Sequence, residues 1–210
     1  MERILYILIL ILLENYGFYK NINIVNSDNI DILVNKNNKL DSNYIPNDLE
    51  TLNLEFSCKD KVLRHEARIF FESMAKNAKK EGFNIIAVST YRNYEYQNKL
   101  YDNYVKGYGY YYAELCSARA GHSEHQTGLA VDIADLSLDY DNFENTKEFI
   151  WMISNSYKYG FILRYPKAKF HITGFKYEPW HFRYVGLDIA KYIYENNITL
   201  EEYKRRNNPS

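Results

Sequence analysis

Two short stretches hold the residue types that metal-assisted hydrolysis needs. SEHQTGLAVD, Ser123 to Asp132, sets a histidine and an aspartate on either side of Gly128, and EPWH, Glu178 to His181, adds a second carboxylate and imidazole. A catalytic zinc takes three protein ligands and keeps a fourth position open. His125, Asp132 and His181 would supply that set with two imidazoles and one carboxylate. Glu178 precedes the last ligand by three residues, where it can act on water acidified by the ion without binding the ion itself. Ligand histidines must be neutral to bind, so activity is expected to fall on acidification.

Each residue also has an ordinary reading. A single histidine is more often a surface or core polar group, and His65, His122 and His171 are read that way. Asp132 differs, because a carboxylate that follows the apolar run LAV is costly to bury unless it is paired or metal-bound.

These groups must be delivered by elements visible in the hydrophobic pattern. Leu63, Ala67, Phe70, Phe71, Met74 and Ala78 recur at helical spacing up to Gly82 and predict an amphipathic helix. FNIIAVST, from Phe83, and GLAVDIAD, from Gly128, read as strands. YRNYEYQNKLYDNYV is helical from Asn93 and broken by Gly107 and Gly109. Glu144 to Tyr159 reads as a helix with Phe149, Ile150, Met152 and Ile153 inward. FILRY and WHFRYV are short strands, and Leu187 to Asn196 is the last long helix. DILV, Asp31 to Val34, reads as a first short strand, and the polar stretch from Asn35 as a loop lying over the domain. Pro179 argues against a helix interior at EPWH. The ligands therefore come from a loop and strand plus a second strand, unlike a helical HExxH. Helices and strands mix without βαβ rhythm, which places the fold in the α+β class.

The 210 residues suit one domain, 31–210, behind an N-terminal segment, 1–30. Within that segment Ile4 to Leu13 is unbroken and apolar. It would make about 15 Å of helix against a hydrocarbon core of about 30 Å. It reads as a short uncleaved anchor or an atypical export signal, without an A-x-A-like cleavage site. Lys plus Arg is 26 and Asp plus Glu 27, so nothing calls for a nucleic-acid partner. The 22 tyrosines either line a groove or reflect a compositional habit. Cys58 and Cys116 match no CxxC pattern, and their pairing is left open.

Three longer stretches, STYRNYEYQNKLY at Ser89, SARAGHSEHQTGLAVDI at Ser117 and ITGFKYEPWHFRYVG at Ile172, resemble in order the signatures of zinc-dependent D-alanyl-D-alanine carboxypeptidases of the VanY type. LVNKNNKL near Leu33 and the helix from Leu63 match more loosely, so the resemblance spans about residues 31–198. It implies the LAS-type peptidase fold, a small central antiparallel sheet flanked by helices. It also implies Zn2+ on His125, Asp132 and His181, with Glu178 as catalytic base. Arg92 would stabilise the oxyanion, and Gln97 and Ser123 would bind the terminal carboxylate of a peptidoglycan stem peptide. Removal of the C-terminal D-alanine follows, by a monomer at the extracytoplasmic cell envelope. Ala120 departs from the family's common proline, which loosens a loop without removing a chemical group.

Three other chemistries compete with this one. Ser73-Met74-Ala75-Lys76 has the S-x-x-K form of serine peptidases, but the companion motifs are out of order and lack a lysine. A non-enzymatic wall-binding module would not need Glu178 and Arg92. An L,D-carboxypeptidase or wall endopeptidase of the same fold changes only the bond cut, and Gln97 with Ser123 favours the exo-acting enzymes.

Overall fold

The computed structural model of the chain describes residues 22–207. The apolar run 4–13 lies outside them; among the described residues no helix is long and apolar enough to cross a membrane. Two small ribbons come first. β1 (Asn23–Ile24) pairs in parallel with β2 (Asn38–Lys39), and β3 (Leu49–Thr51) pairs antiparallel with β4 (Val62–Arg64). The central sheet holds β5 (Ile86–Ser89), β6 (Ala130–Ala134), β7 (Phe161–Leu163) and β8 (His181–Tyr184), antiparallel throughout in the order β5-β6-β8-β7.

Side chains alternate between the two faces of a strand, and here the two faces do different work. One face sends Val131, Ile133, Phe161, Phe182 and Tyr184 into the main core. There they meet α1 (His65–Lys80), whose buried residues Ala67, Phe71, Met74, Ala75 and Ala78 keep helical spacing. Phe71 meets Phe161 edge to face at 6.2 Å. The opposite face of the sheet carries Asp132, His181 and Arg183. The sheet is thus apolar toward α1 and chemical on the other side.

The remaining helices are α2 (Tyr94–Tyr108), α3 (Tyr110–Cys116), α4 (Lys147–Asn155), α5 (Phe170–Thr173), α6 (Leu187–Asn196) and α7 (Leu200–Asn207). Asn93 caps α2 by accepting a hydrogen bond from the Tyr96 N–H at 2.8 Å. Asn93→Ala is expected to cost about 1 kcal/mol of stability, read as a shift in urea midpoint; no shift would mean that the cap contributes nothing.

The structure departs from the sequence pattern at several places. DILV forms no strand, although Ile32 and Val34 are buried; the chain pairs earlier, at Asn23–Ile24. The stretch from Asn35 enters the interior, because Lys36 is fully enclosed, sits 3.6 Å from the Glu114 carboxylate and lies over the Phe175 ring. Burial lowers the Lys36 ammonium to about 8, against the pull of Glu114. Gly107 is accommodated within α2, and Gly109, at φ 85°, is the residue that ends it. The helix expected over 144–159 divides into a 3-10 turn (Tyr140–Asn145), α4 and a second 3-10 turn (Ser156–Tyr159). Thr146 caps α4 and sets its phase, so Phe149, Trp151 and Met152 turn inward while Ile150 and Ile153 stay exposed. Asn197, at φ 50°, ends α6, and α7 follows it as the last helix. Cys58 and Cys116 are both free thiols.

Candidate metal and catalytic centre

The centre is built from adjacent strands and one tight turn. Register sets Asp132 of β6 opposite His181 of β8, and Ser89 of β5 opposite Asp132 on its other side. His125 comes from a 3-10 turn (Glu124–Thr127) that Ser123 caps through its side-chain oxygen and the His125 N–H. Gly128 then reverses the chain into β6 at φ +68°, where an added Cβ would lie 2.8 Å from Leu49 and 3.0 Å from Arg64. Glycine is needed there for both conformation and space.

His125 Nε2 lies 3.3 Å from Asp132 Oδ2, and His181 Nδ1 lies 3.2 Å from Asp132 Oδ1. The two rings stand edge to face at 5.0 Å. One ligand atom from each of the three residues falls within 4.8 Å of the others. His125 Nδ1 meets the Thr90 carbonyl at 2.7 Å; donating that N–H leaves Nε2 as the lone pair facing the centre. Buried His125 Nε2 and Asp132 Oδ1 have no hydrogen-bond partner of good geometry. Two imidazole nitrogens and a carboxylate oxygen converging in this way fit a zinc ion by donor type and number.

The charges are strongly tuned. Burial lowers the His125 imidazolium to about 4, with nearby Arg92 adding to the effect. Asp132 stays ionised, well below the usual range: burial opposes this, and His125 and His181 outweigh it. Burial also opposes a proton on His181, but hydrogen bonds to Asp132 and Glu124 raise it to about 9. Glu178 is pushed up to about 7, chiefly by burial. Its carboxylate stands 3.7 Å from His181 Nδ1, and its N–H is anchored on the Tyr165 carbonyl at 3.1 Å.

Arg92 reaches the same point from the loop that leads into α2. Its Nη1 donates to Ser89 Oγ at 2.9 Å and lies 3.5 Å from Asp132 Oδ2. Its Nε donates to Gln97 Oε1 at 3.1 Å, and Gln97 Nε2 in turn donates to the Ala118 carbonyl at 2.7 Å. Arg92, Gln97, Ser123, Glu178 and the three ligand candidates all line one cleft, rimmed by Tyr104, Tyr140 and Trp180. All seven residues singled out in the sequence are therefore brought together. His65 and His171 stay exposed, and buried His122 meets the Asn35 carbonyl at 2.9 Å. Ser73 and Lys76 lie on the exposed side of α1, outside the cleft, which removes the serine route.

One residue escaped the sequence reading. Glu124 is 1% exposed and faces the second nitrogen of His181, with Oε2 at 3.4 Å from Nε2. Its Oε1 accepts from Arg164 Nε at 2.8 Å and Arg183 Nη1 at 2.9 Å. The available signal was an arginine in each of two short apolar strand stretches, FILRY and HFRYV, since buried guanidinium groups require buried counter-charges.

The VanY family, described as D-alanyl-D-alanine carboxypeptidase, matches residues 60–187. The chain is 46% identical over 187 residues to the putative carboxypeptidase YodJ of Bacillus subtilis, a match covering 86% of this chain and 68% of that protein. The solved LdcB LD-carboxypeptidase is similar with a TM-score of 0.79 and 43% identity, over 88% of this chain and 94% of that one. The D,D-pentapeptidase VanY from a VanB-type resistance cassette, solved in complex with Zn(II), is similar with a TM-score of 0.72 and 36% identity, over 83% of this chain and 98% of that one. From these matches and from the geometry of its cleft, the chain belongs to the VanY family of D-alanyl-D-alanine carboxypeptidases.

Proposed function

We propose that the chain is a zinc-dependent carboxypeptidase that removes the C-terminal D-alanine from peptidoglycan stem peptides. The observation that carries this reading is the convergence of His125, Asp132 and His181 beside a buried carboxylate, Glu178, and a guanidinium, Arg92, in one cleft. His125 through Nε2, Asp132 through a carboxylate oxygen and His181 through Nδ1 would hold the ion. When bound, zinc supplies Lewis-acid polarisation of the scissile carbonyl and eases deprotonation of water.

The chain's own residues do the rest. Glu178 takes the proton from the attacking water as the oxygen–carbon bond forms, and returns a proton to the leaving amine as the carbon–nitrogen bond breaks. Arg92 faces the oxygen on which charge develops, and Gln97 and Ser89 hold its guanidinium there before substrate arrives. Ser123 and Gln97 receive the free carboxylate of the peptide, and the aromatic rim closes over its apolar parts. Arg92→Ala is expected to lower kcat by roughly 100-fold or more with zinc content unchanged; a loss confined to KM would assign Arg92 to substrate binding instead.

The test is to incubate the chain with pentapeptide and tetrapeptide stems and weigh the products. Loss of one D-alanine from the pentapeptide, abolished by a chelator and restored by zinc, is the expected result. Cleavage that survives chelation would overturn the reading. The similarity to LdcB, at 43% identity, favours one second reading, an L,D-carboxypeptidase that shortens the tetrapeptide. The tetrapeptide arm decides between them. The same reading puts the enzyme outside the cytoplasmic membrane, where this substrate lies; that it works as a monomer, attached through residues 4–13, is part of the proposal.

A further inference from the structure

Both ring nitrogens of His181 face carboxylates, and the carboxylates on its two sides differ in their surroundings. Nδ1 points into the cleft, 3.2 Å from Asp132 and 3.7 Å from Glu178. Nε2, on the other side of the ring, lies 3.4 Å from Glu124 Oε2. Glu124 divides its two oxygens between two tasks: Oε1 accepts both guanidinium bonds, from Arg164 and Arg183, and Oε2 is left for the imidazole.

A neutral imidazole carries one N–H and one lone pair, and a partner that can only accept decides which nitrogen keeps the proton. We propose that Glu124 is the positioning residue of the metal centre, taking the Nε2–H of His181 and thereby committing that ring's Nδ1 lone pair to the ion. This assignment rests on the metal reading given above.

The surroundings of Glu124 support a fixed rather than adaptable acceptor. It is buried at the 3-10 turn that also presents His125, so one short segment supplies a ligand and orients another. A carboxylate without water remains charged only beside counter-ions, and two guanidinium groups sit on Glu124. Arg164 extends to Glu201 through two further bonds, at 2.9 and 2.6 Å. Arg183 is braced by the carbonyls of Ile30, Ile32 and Tyr184. Two arginines and two glutamates balance, so Glu124 can take a hydrogen bond from a neutral imidazole without needing an imidazolium. The two histidines are consequently set by different acceptors. His125 donates through Nδ1 to a neutral carbonyl and offers Nε2, whereas His181 donates through Nε2 to a carboxylate and offers Nδ1. Carboxylate–histidine–metal arrangements raise ligand basicity as well as fixing the ring.

The experiment measures zinc affinity without peptide, by competition with a chromophoric chelator, for the wild-type chain and for Glu124→Gln. The variant is expected to bind zinc roughly 10- to 100-fold more weakly; unchanged affinity in a folded variant overturns the assignment. A second measurement needs no variant. Nitrogen-15 NMR of the zinc-loaded wild-type chain should show the His181 proton on Nε2 and the His125 proton on Nδ1. A His181 proton on Nδ1 overturns the assignment even if Glu124→Gln fails to fold. Neither readout depends on turnover, so an absence of peptidase activity would count against the proposed function and not against this role of Glu124.

Discussion

Glu178→Gln is expected to lower kcat by about 10³-fold while leaving zinc content and the KM for stem peptide within a few-fold of wild type. Glutamine keeps the volume and polarity of the side chain and can still hydrogen-bond to substrate. It cannot accept and return a proton, and proton transfer by a positioned side chain is worth roughly 10²–10⁴-fold. The upper part of that range applies because the carboxylate is held away from bulk solvent: Glu178 is 7% exposed, and burial brings its carboxyl to about 7, close to the pH at which a base must both take and release a proton. Its anchor also fixes its aim, since the Glu178 N–H bonds the Tyr165 carbonyl while its own carbonyl accepts from the His181 N–H at 3.2 Å. Steady-state kinetics with metal analysis of the same preparation checks the result. A variant that keeps more than a tenth of wild-type kcat would remove Glu178 from the reaction.

The sequence made the chemistry legible before the geometry. His125 and Asp132 flank one turn, and Glu178 and His181 share another, so their types and order could be read locally. What no local pattern contains is strand register. Asp132 meets His181 because β6 and β8 pair with those two residues directly opposite, and a slip of one residue would have turned one of them into the core. Glu124 was missed because its partners lie 40 and 59 residues away. A single sequence does not say which buried charges meet. Lys36 was missed for a related reason: a polar stretch with a lysine looks solvated until a partner such as Glu114 is found across the fold. The phase of α4 went astray because its start at Thr146, and not its apolar count, decides which residues face inward.

Arg164→Met is expected to destabilise the fold by about 3–5 kcal/mol, the cost of leaving a buried ion without its partner. Arg164 is 1% exposed and bonds Glu124 once and Glu201 twice, as a fork whose planar donors match a carboxylate. Without it, Glu201 keeps, among the described residues, a contact from Asn35 at 3.4 Å, and Glu124 keeps Arg183 and His181. Against a typical stability of about 5–15 kcal/mol, that loss is a large share. The same physics predicts its own rescue. Arg164→Met combined with Glu201→Met removes one charge of each sign and leaves Glu124 paired with Arg183, and replacing a buried ion pair by apolar groups of similar volume is often close to neutral. The double variant should therefore recover most of the loss, to within about 2 kcal/mol of wild type. Urea denaturation of the two variants, at matched slope, measures both numbers. Arg164→Met within about 1 kcal/mol of wild type would mean that water reaches the cluster. A double variant no more stable than the single one would mean that the arginine acts by packing its stem and not by balancing charge.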